Sequence, residues 1–178
     1  CNTDSAAVRG AFPDTITQPK GAKTMEIRYS CNQRDFKRYT TEETRKEFLI
    51  ENLYAANEVV AVYSHVDRMV TLGCMPTTET VSIDKGREIG IFNIGGAGSI
   101  TADGVKYELG YKDCLYITQG TKEVLFASED AAKPAKFYMV SAPAHRAYET
   151  KLIKIEDAAK KPLGAMETSN KRVINQFI

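Results

Sequence analysis

"GGAGSITADGVKYELGYKDCLYITQGTKEVLFAS", Gly95 to Ser128, is the stretch that decides the fold. Apolar and polar residues alternate along it, the chain turns at Asp103-Gly104, and the alternation resumes. A period of two sends successive side chains to opposite faces of a strand. Glycine accepts the positive φ of a tight turn, so Asp103-Gly104 reads as a hairpin. The wider segment "EIGIFNIGGAGSITADGVKYELGYKDCLYIT" supplies three strands on this reading, and "EVLFASED" and "AKFYMVSAP" follow as further strands. Upstream, Val59 to Tyr63 and Met69 to Leu72 are short β-branched or apolar runs of the same kind. Short strands at regular spacing predict an all-β domain, an antiparallel sandwich or barrel rather than βαβ units.

The rest of the chain frames that core. "TTEETRKEFLIENLY" offers Thr40 or Thr41 as an N-cap, acidic residues in the first turn and apolar residues at near-helical spacing, which predicts a short flanking helix. Residues 1–24 carry Gly, Pro, Thr and Lys without periodicity and read as a flexible extension. The barrel-like domain is expected over 25–150, and 151–178 reads as a connecting segment toward a second barrel that this chain does not contain. At 178 residues, 43% hydrophobic and 26% charged, the chain is long enough to bury one real core. Lys and Arg number 24 against 23 Asp and Glu, a net charge of +1. Nothing in that balance recruits nucleic acid or an anionic membrane. No run approaches the roughly 20 apolar residues of a membrane span. The cysteines Cys1, Cys31, Cys74 and Cys114 form no CxxC spacing. Cys74 and Cys114 sit in strand-like text as small buried hydrophobes, and scattered thiols suit a reducing cytoplasm. Cys1 also admits a lipid-anchored reading, against the simpler one of an extension ahead of a natural start at Met25.

Three motifs invite chemistry. "GGAGSI" resembles a phosphate loop but lacks the GxGxxG frame and a following helix, so a tight bend between strands is the expectation. "YSHVDR" places an imidazole, a carboxylate and a guanidinium in one hexapeptide. On a strand His65 and Asp67 would share a face with Arg68 opposite; His65 could meet a sugar hydroxyl and Arg68 a carboxylate, or Asp67 and Arg68 could simply tie a loop to its neighbour. His65, Asp67 and Arg68 are therefore the candidate substrate-binding residues. His145 in "APAHR" reads as an ordinary hydrogen-bonded histidine, and no GxSxG elbow supports a hydrolase triad.

"GYKDCLYITQGTKEVLFAS" resembles the second motif of cupin barrels through Gly110, Asp113, Leu115, Tyr116 and Gly120. Lys122 and Glu123 stand where the motif's metal-binding histidine would fall. Such barrels hold a divalent ion through three histidines and a glutamate. This chain has two histidines far apart, His65 and His145, so it cannot build that site and no metal ligand is assigned.

Taken together, "KEFLIENLY", "YSHVDRMV", "REIGIFNIGGAGSITADGVKYELGYKDCLYITQGTKEVLFAS", "PAKFYMVSAPAH" and "TSNKRVIN" resemble the N-terminal part of the 5-keto-4-deoxyuronate isomerases, from about Met25 to the last residue. The resemblance implies a cupin-like (jelly-roll) barrel that is the N-terminal half of a bicupin. It implies a zinc-dependent, cytoplasmic ketol-isomerase of pectin and uronate breakdown, a homo-oligomer, usually a homohexamer. Its substrate would be a keto-deoxyuronate sugar acid, with 5-dehydro-4-deoxy-D-glucuronate converted to 3-deoxy-D-glycero-2,5-hexodiulosonate. The family's zinc cluster belongs to the second barrel, so catalytic residues stay unassigned here and this chain alone should bind no zinc and be inactive. Relatives also carry a longer stretch between "VSIDKG" and "REIG", joined directly here at Gly86-Arg87, and the first 24 residues match no family counterpart. A carboxylate clamp would fall to Arg68, Arg146 or Arg172. The alternative is a non-catalytic cupin-like module for sugar binding or oligomer assembly.

Overall fold

A computed structural model describes residues 22–66, 68–78, 80–84 and 87–177, with 22–24 and 82–84 described in backbone only. Cys1 and the rest of the extension up to residue 21 lie outside the described residues. In chain order the elements are β1 (Ala22–Arg28), α1 (Gln33–Phe36), α2 (Thr41–Phe48), β2 (Val59–Ser64), β3 (Met69–Cys74), β4 (Val81–Asp84) and β5 (Glu88–Asn93). Then follow β6 (Gly98–Ala102), β7 (Val105–Leu109), β8 (Cys114–Ile117), β9 (Glu123–Ser128), β10 (Phe137–Ala142), β11 (Lys151–Ile153), β12 (Ala159–Leu163) and β13 (Arg172–Gln176).

The strands form a seven-stranded sheet, β1-β2-β3-β10-β5-β8-β11, a four-stranded sheet, β4-β9-β6-β7, and a separate β12-β13 hairpin. The expected barrel is thus not closed: among the described residues no ladder joins the two larger sheets, and they pack as layers of an open sandwich. Alternate residues from both fill the space between them. Leu72, Met139, Ile91 and Leu115 form one row across the large sheet, facing Ile100, Val124 and Phe126 of the small one. All seven are buried, and each stabilises the fold by about 1.5–3 kcal/mol.

The opening stretch and its neighbours hold four strands, β5 to β8, where three were expected. The extra strand arises because the chain changes sheets twice, from β5 to β6 at Ile94–Ala97 and from β7 to β8 at Gly110–Asp113. Between them the Asp103-Gly104 hairpin forms as read, with φ of 44° and 85° at its two turn residues. The "GGAGSI" segment is a bend: a Cβ on Gly96 would sit 1.9 Å from the Lys133 carbonyl oxygen, and one on Gly95 2.4 Å from the Lys136 nitrogen. Only glycine permits that approach. Buried Asn93 fixes the corner. Its amide donates to the carbonyls of Gly96 (2.7 Å) and Leu109 (3.0 Å), and its oxygen accepts from Gly95 N (3.0 Å) and Lys136 N (3.3 Å).

Two further departures concern the ends. β1 pairs with β2 in parallel, so the large sheet is mixed rather than wholly antiparallel. A parallel neighbour needs a crossover, and α1 and α2 supply it. Thr40 caps α2 in a reciprocal box: its hydroxyl accepts from Glu43 N at 3.2 Å while the Glu43 carboxylate accepts from Thr40 N at 2.7 Å. Arg28 donates to the carbonyls of Glu47 and Leu49, fastening β1 to the end of that helix. At the other end, β11 adds an edge strand to β8. Asp113 secures it: its carboxylate accepts from Gly110 N (2.8 Å), Lys154 Nζ (2.9 Å) and Ile155 N (2.9 Å).

Candidate functional site

The interior of the sandwich is packed with Ile, Val, Leu, Phe and Met side chains, and Asn93, its deepest polar group, spends its side chain on backbone partners. Among the described residues no group of three His, Cys, Asp or Glu is placed to hold a metal. Lys122 and Glu123, at the histidine position of the motif, give their backbone N–H groups to the Asp103 carboxylate, and the Glu123 side chain is exposed. Among the described residues, the side chains at this motif supply no donor set that fits zinc. Cys74 and Cys114 are buried as read, and burial pushes their thiols up to about 12 and about 11. Both stay protonated and poor as ligands.

Polar chemistry gathers instead at one end of the large sheet. Val70, Ser141, Ile89 and Ile117 form the last full core row there. Just past it lie the turn after Ser64, Arg87, and the loop that follows Ala142. The turn overturns the strand reading of "YSHVDR". Ser64 pairs with Met69, so the chain must reverse between them, and Arg68 adopts φ of 52°. His65 and Arg68 are turn residues, and Asp67 lies outside the described residues.

His65 is held by aromatic rings. It stacks on Tyr29 with centroids 4.5 Å apart, meets Tyr63 edge-on at 4.9 Å, and its backbone N–H donates to the Arg28 carbonyl at 2.9 Å. Beside Tyr29, a cavity of about 310 Å³ is lined by Arg28, Cys31, Tyr39, Lys46 and Glu47. The Arg68 side chain is exposed, but its carbonyl accepts from Arg87 Nη2 at 2.6 Å. Arg87 is the residue that sequence reasoning missed. Its Nε is buried and meets no acceptor among the described residues. Burial lowers the guanidinium pKa, while the nearby Tyr63 phenol acts in the opposite sense. Arginine remains charged regardless. A basic residue flanking a strand looks like any solvated charge, and only position i−2 from buried Ile89 hinted otherwise.

His145 lies on the loop after β10, where a ring nitrogen pairs with the Tyr148 hydroxyl at 3.0 Å and Arg146 stacks over the Tyr148 ring at 4.6 Å. That matches the ordinary hydrogen-bonded role expected of it. Nearby, the Tyr116 hydroxyl donates to Glu88 at 2.8 Å; desolvation first, and that carboxylate second, push the phenol up to about 12. Arg172 stands on the exposed β12-β13 hairpin, with its side chain on Asn170. Of the three arginines considered for a carboxylate, Arg68 and Arg146 follow strands that end here, whereas Arg172 is engaged on that hairpin.

Comparison with known proteins agrees with the motifs. The KduI/IolB family model matches residues 51–178. The 4-deoxy-L-threo-5-hexosulose-uronate ketol-isomerase of Lachnoclostridium phytofermentans is 47% identical over 165 residues, and that of Lachnospira eligens 44% over 169. The enzyme of the same name from Formosa agariphila is 43% identical over 164 residues. Each alignment takes in 86% of this chain, but the chain spans only about 60% of the length of these relatives. Among solved structures, a cupin protein from Bacteroides fragilis aligns at TM-score 0.37 and 25% identity, over 43% of this chain and 67% of that one. On the strength of the family model and these relatives, the chain belongs to the KduI/IolB family.

Proposed function

We propose that this chain is the N-terminal sandwich of a bicupin ketol-isomerase that interconverts 5-dehydro-4-deoxy-D-glucuronate and 3-deoxy-D-glycero-2,5-hexodiulosonate in uronate and pectin breakdown. The observation that carries the reading is the identity of 43–47% to ketol-isomerases across 86% of this chain. The chemistry is an aldose–ketose shift, in which a base moves a proton between adjacent carbons and donors steady the developing oxyanion. Zinc, in this proposal, is held by residues of the second barrel, where it supplies Lewis-acid stabilisation. No step runs through the packed interior of this sandwich. Its part is to position the second barrel and to present the polar end built on His65, Arg68 and Arg87. Assembly as a homo-oligomer, a hexamer by resemblance, and a cytoplasmic location belong to the same proposal.

The absence of a metal donor set from the described residues also favours a second reading, a non-catalytic sugar-binding or assembly module. One experiment separates them. The chain is prepared alone and extended by the coding sequence that follows Ile178, and each form is assayed for isomerisation and bound zinc. The enzyme reading expects turnover and zinc only in the extended form. Turnover by the 178-residue chain alone, or an extended form inert with its substrate, overturns it; a stop codon directly after Ile178 supports the module.

A further inference from the structure

We infer that the β12-β13 hairpin is an association arm, and that the outer edge of β13 pairs antiparallel with the same edge of a second copy of this chain about a two-fold axis at Ile174. The inference rests on the reading above only for the expectation that copies of this chain assemble; the contact itself is drawn from the hairpin. β12 and β13 pair with each other and with no other strand among the described residues. All five residues of β13 are exposed, as are four of the five in β12, so no described element covers either face of the ribbon. Its base is anchored, with Ala158 buried and the Phe177 ring edge-on to Phe92 at 5.2 Å, and the strands stand clear of the body. A ribbon of two strands is marginally stable in water, whereas three or more strands sharing an apolar face hold together. Two hairpins joined edge to edge meet that requirement.

The two edges of the ribbon differ. β12 reads "AKKPL": Lys160 and Lys161 set charge along it, and Pro162 has no N–H to offer a further strand. β13 reads "RVINQ", with β-branched Val173 and Ile174 at its middle, no proline, and its charge confined to Arg172 at the start. Lysine and proline guard an edge that must stay unpaired, and β13 carries neither. Its sequence also fits a partner identical to itself. Antiparallel pairing centred on Ile174 sets that residue opposite its own copy, Val173 opposite Asn175 of the second copy, and Arg172 opposite Gln176. The two arginines fall at opposite ends of the ladder, so no like charges face each other. Within the hairpin Leu163 pairs with Arg172 and Lys161 with Ile174, which places Leu163 diagonal to Ile174 on one face. The two-fold joins Leu163 and Ile174 of both copies into one apolar stripe across the new sheet. It covers an isoleucine that is 43% exposed in the single chain.

The test uses the 178-residue chain and the form extended past Ile178, each followed by sedimentation over a concentration series. Ile174→Lys and Ile174→Glu each set like charges against one another across the axis, and circular dichroism checks that the fold survives. Either variant alone should associate about tenfold or more weakly than the unaltered chain, and mixing I174K with I174E should restore association. Ile174→Cys supplies a second measurement. Directly opposed Cα atoms in an antiparallel ladder lie about 4.5–5.5 Å apart, within disulfide reach. Mild oxidation of I174C should therefore link two copies through that position, identified by peptide mapping. A single-chain mass for the unaltered chain throughout the micromolar range would overturn the inference. So would association that ignores I174K and I174E, a mixture that shows no rescue, or I174C that forms no such link. A link made by the 178-residue chain but lost in the extended form assigns the edge to the polypeptide that follows, and equally overturns it. Association that ignores every substitution removes the arm and leaves the homo-oligomer reading in place, while turnover of the extended form tests the isomerase reading separately.

Discussion

Replacing Asp113 tests whether the C-terminal edge strand is stitched on by one carboxylate. In Asp113→Ala the amides of Gly110 and Ile155 lose their acceptor, and the half-buried Lys154 ammonium loses its counter-ion. Two amide bonds to a charged acceptor contribute about 1.5 kcal/mol each. Lys154 adds less, since its side chain keeps 37% of its exposure and water screens the pair. The expected loss is about 3 kcal/mol in Asp113→Ala, and roughly half of that in Asp113→Asn, which keeps one acceptor oxygen. Urea unfolding followed by tyrosine fluorescence measures it, the chain having nine tyrosines and no tryptophan. Hydrogen exchange should show the amides of Lys151–Ile155 opening before the central strands. The pH profile supplies an independent check. Burial alone would raise the Asp113 pKa, but the Ile155 amide, Lys154 and the Gly110 amide outweigh it and hold the carboxyl below its ordinary value. Its folded pKa is thus depressed, so its stabilisation is complete above about pH 4, the unfolded value, and is lost as pH falls through the folded one. Asp113→Asn should flatten that acid limb. A loss under 0.5 kcal/mol on the order expected of a surface change, or an acid limb unaltered by Asp113→Asn, would show that the edge strand is held by something else.

Asn93→Ala deletes four hydrogen bonds at a fully buried site and frees the Gly95–Gly96 corner, with an expected cost of about 3–5 kcal/mol in the denaturant midpoint; a cost below about 1 kcal/mol would mean the corner holds itself. Native alkylation mapped by mass spectrometry should label half-exposed Cys31 and spare Cys74 and Cys114 until the fold is opened by denaturant. Early labelling of Cys74 would contradict its place between the sheets.

Much of this fold could be read from patterns that need only neighbours in sequence. Asp103-Gly104 announces its turn because the backbone there demands positive φ at both residues. Thr40 and Glu43 announce a helix start because the box spans one turn. Val59, Ala61 and Tyr63, or Ile89 and Ile91, declare their inner face by alternation. Features that depend on distant partners stayed hidden. β1 reads "AKTMEIR" and becomes a strand only because β2 lends it a parallel edge. β11 has three residues and exists through β8 and Asp113. The changes of sheet at Ile94–Ala97 and Gly110–Asp113 require knowing what each strand lies beside. Arg87 was invisible for the same reason: the turn that covers it lies about twenty positions earlier in the chain. Of the candidate site, the His65–Arg68 segment was found by composition, but its geometry as a turn was not.

The position of β10 carries a consequence for synthesis. It pairs with β3 on one side and β5 on the other, so the middle of the large sheet is bridged by residues 137–142. Until the ribosome has delivered that segment, two apolar strand edges stand open in the emerging chain, each a template for pairing with another molecule. The final zipping therefore waits on contacts more than forty residues apart in sequence, a topology that folds on the millisecond-to-second scale. A cell making this protein has reason to shield it with chaperones during that interval, and a nonsense mutation just upstream of Phe137 would release a product prone to clump rather than a smaller working version.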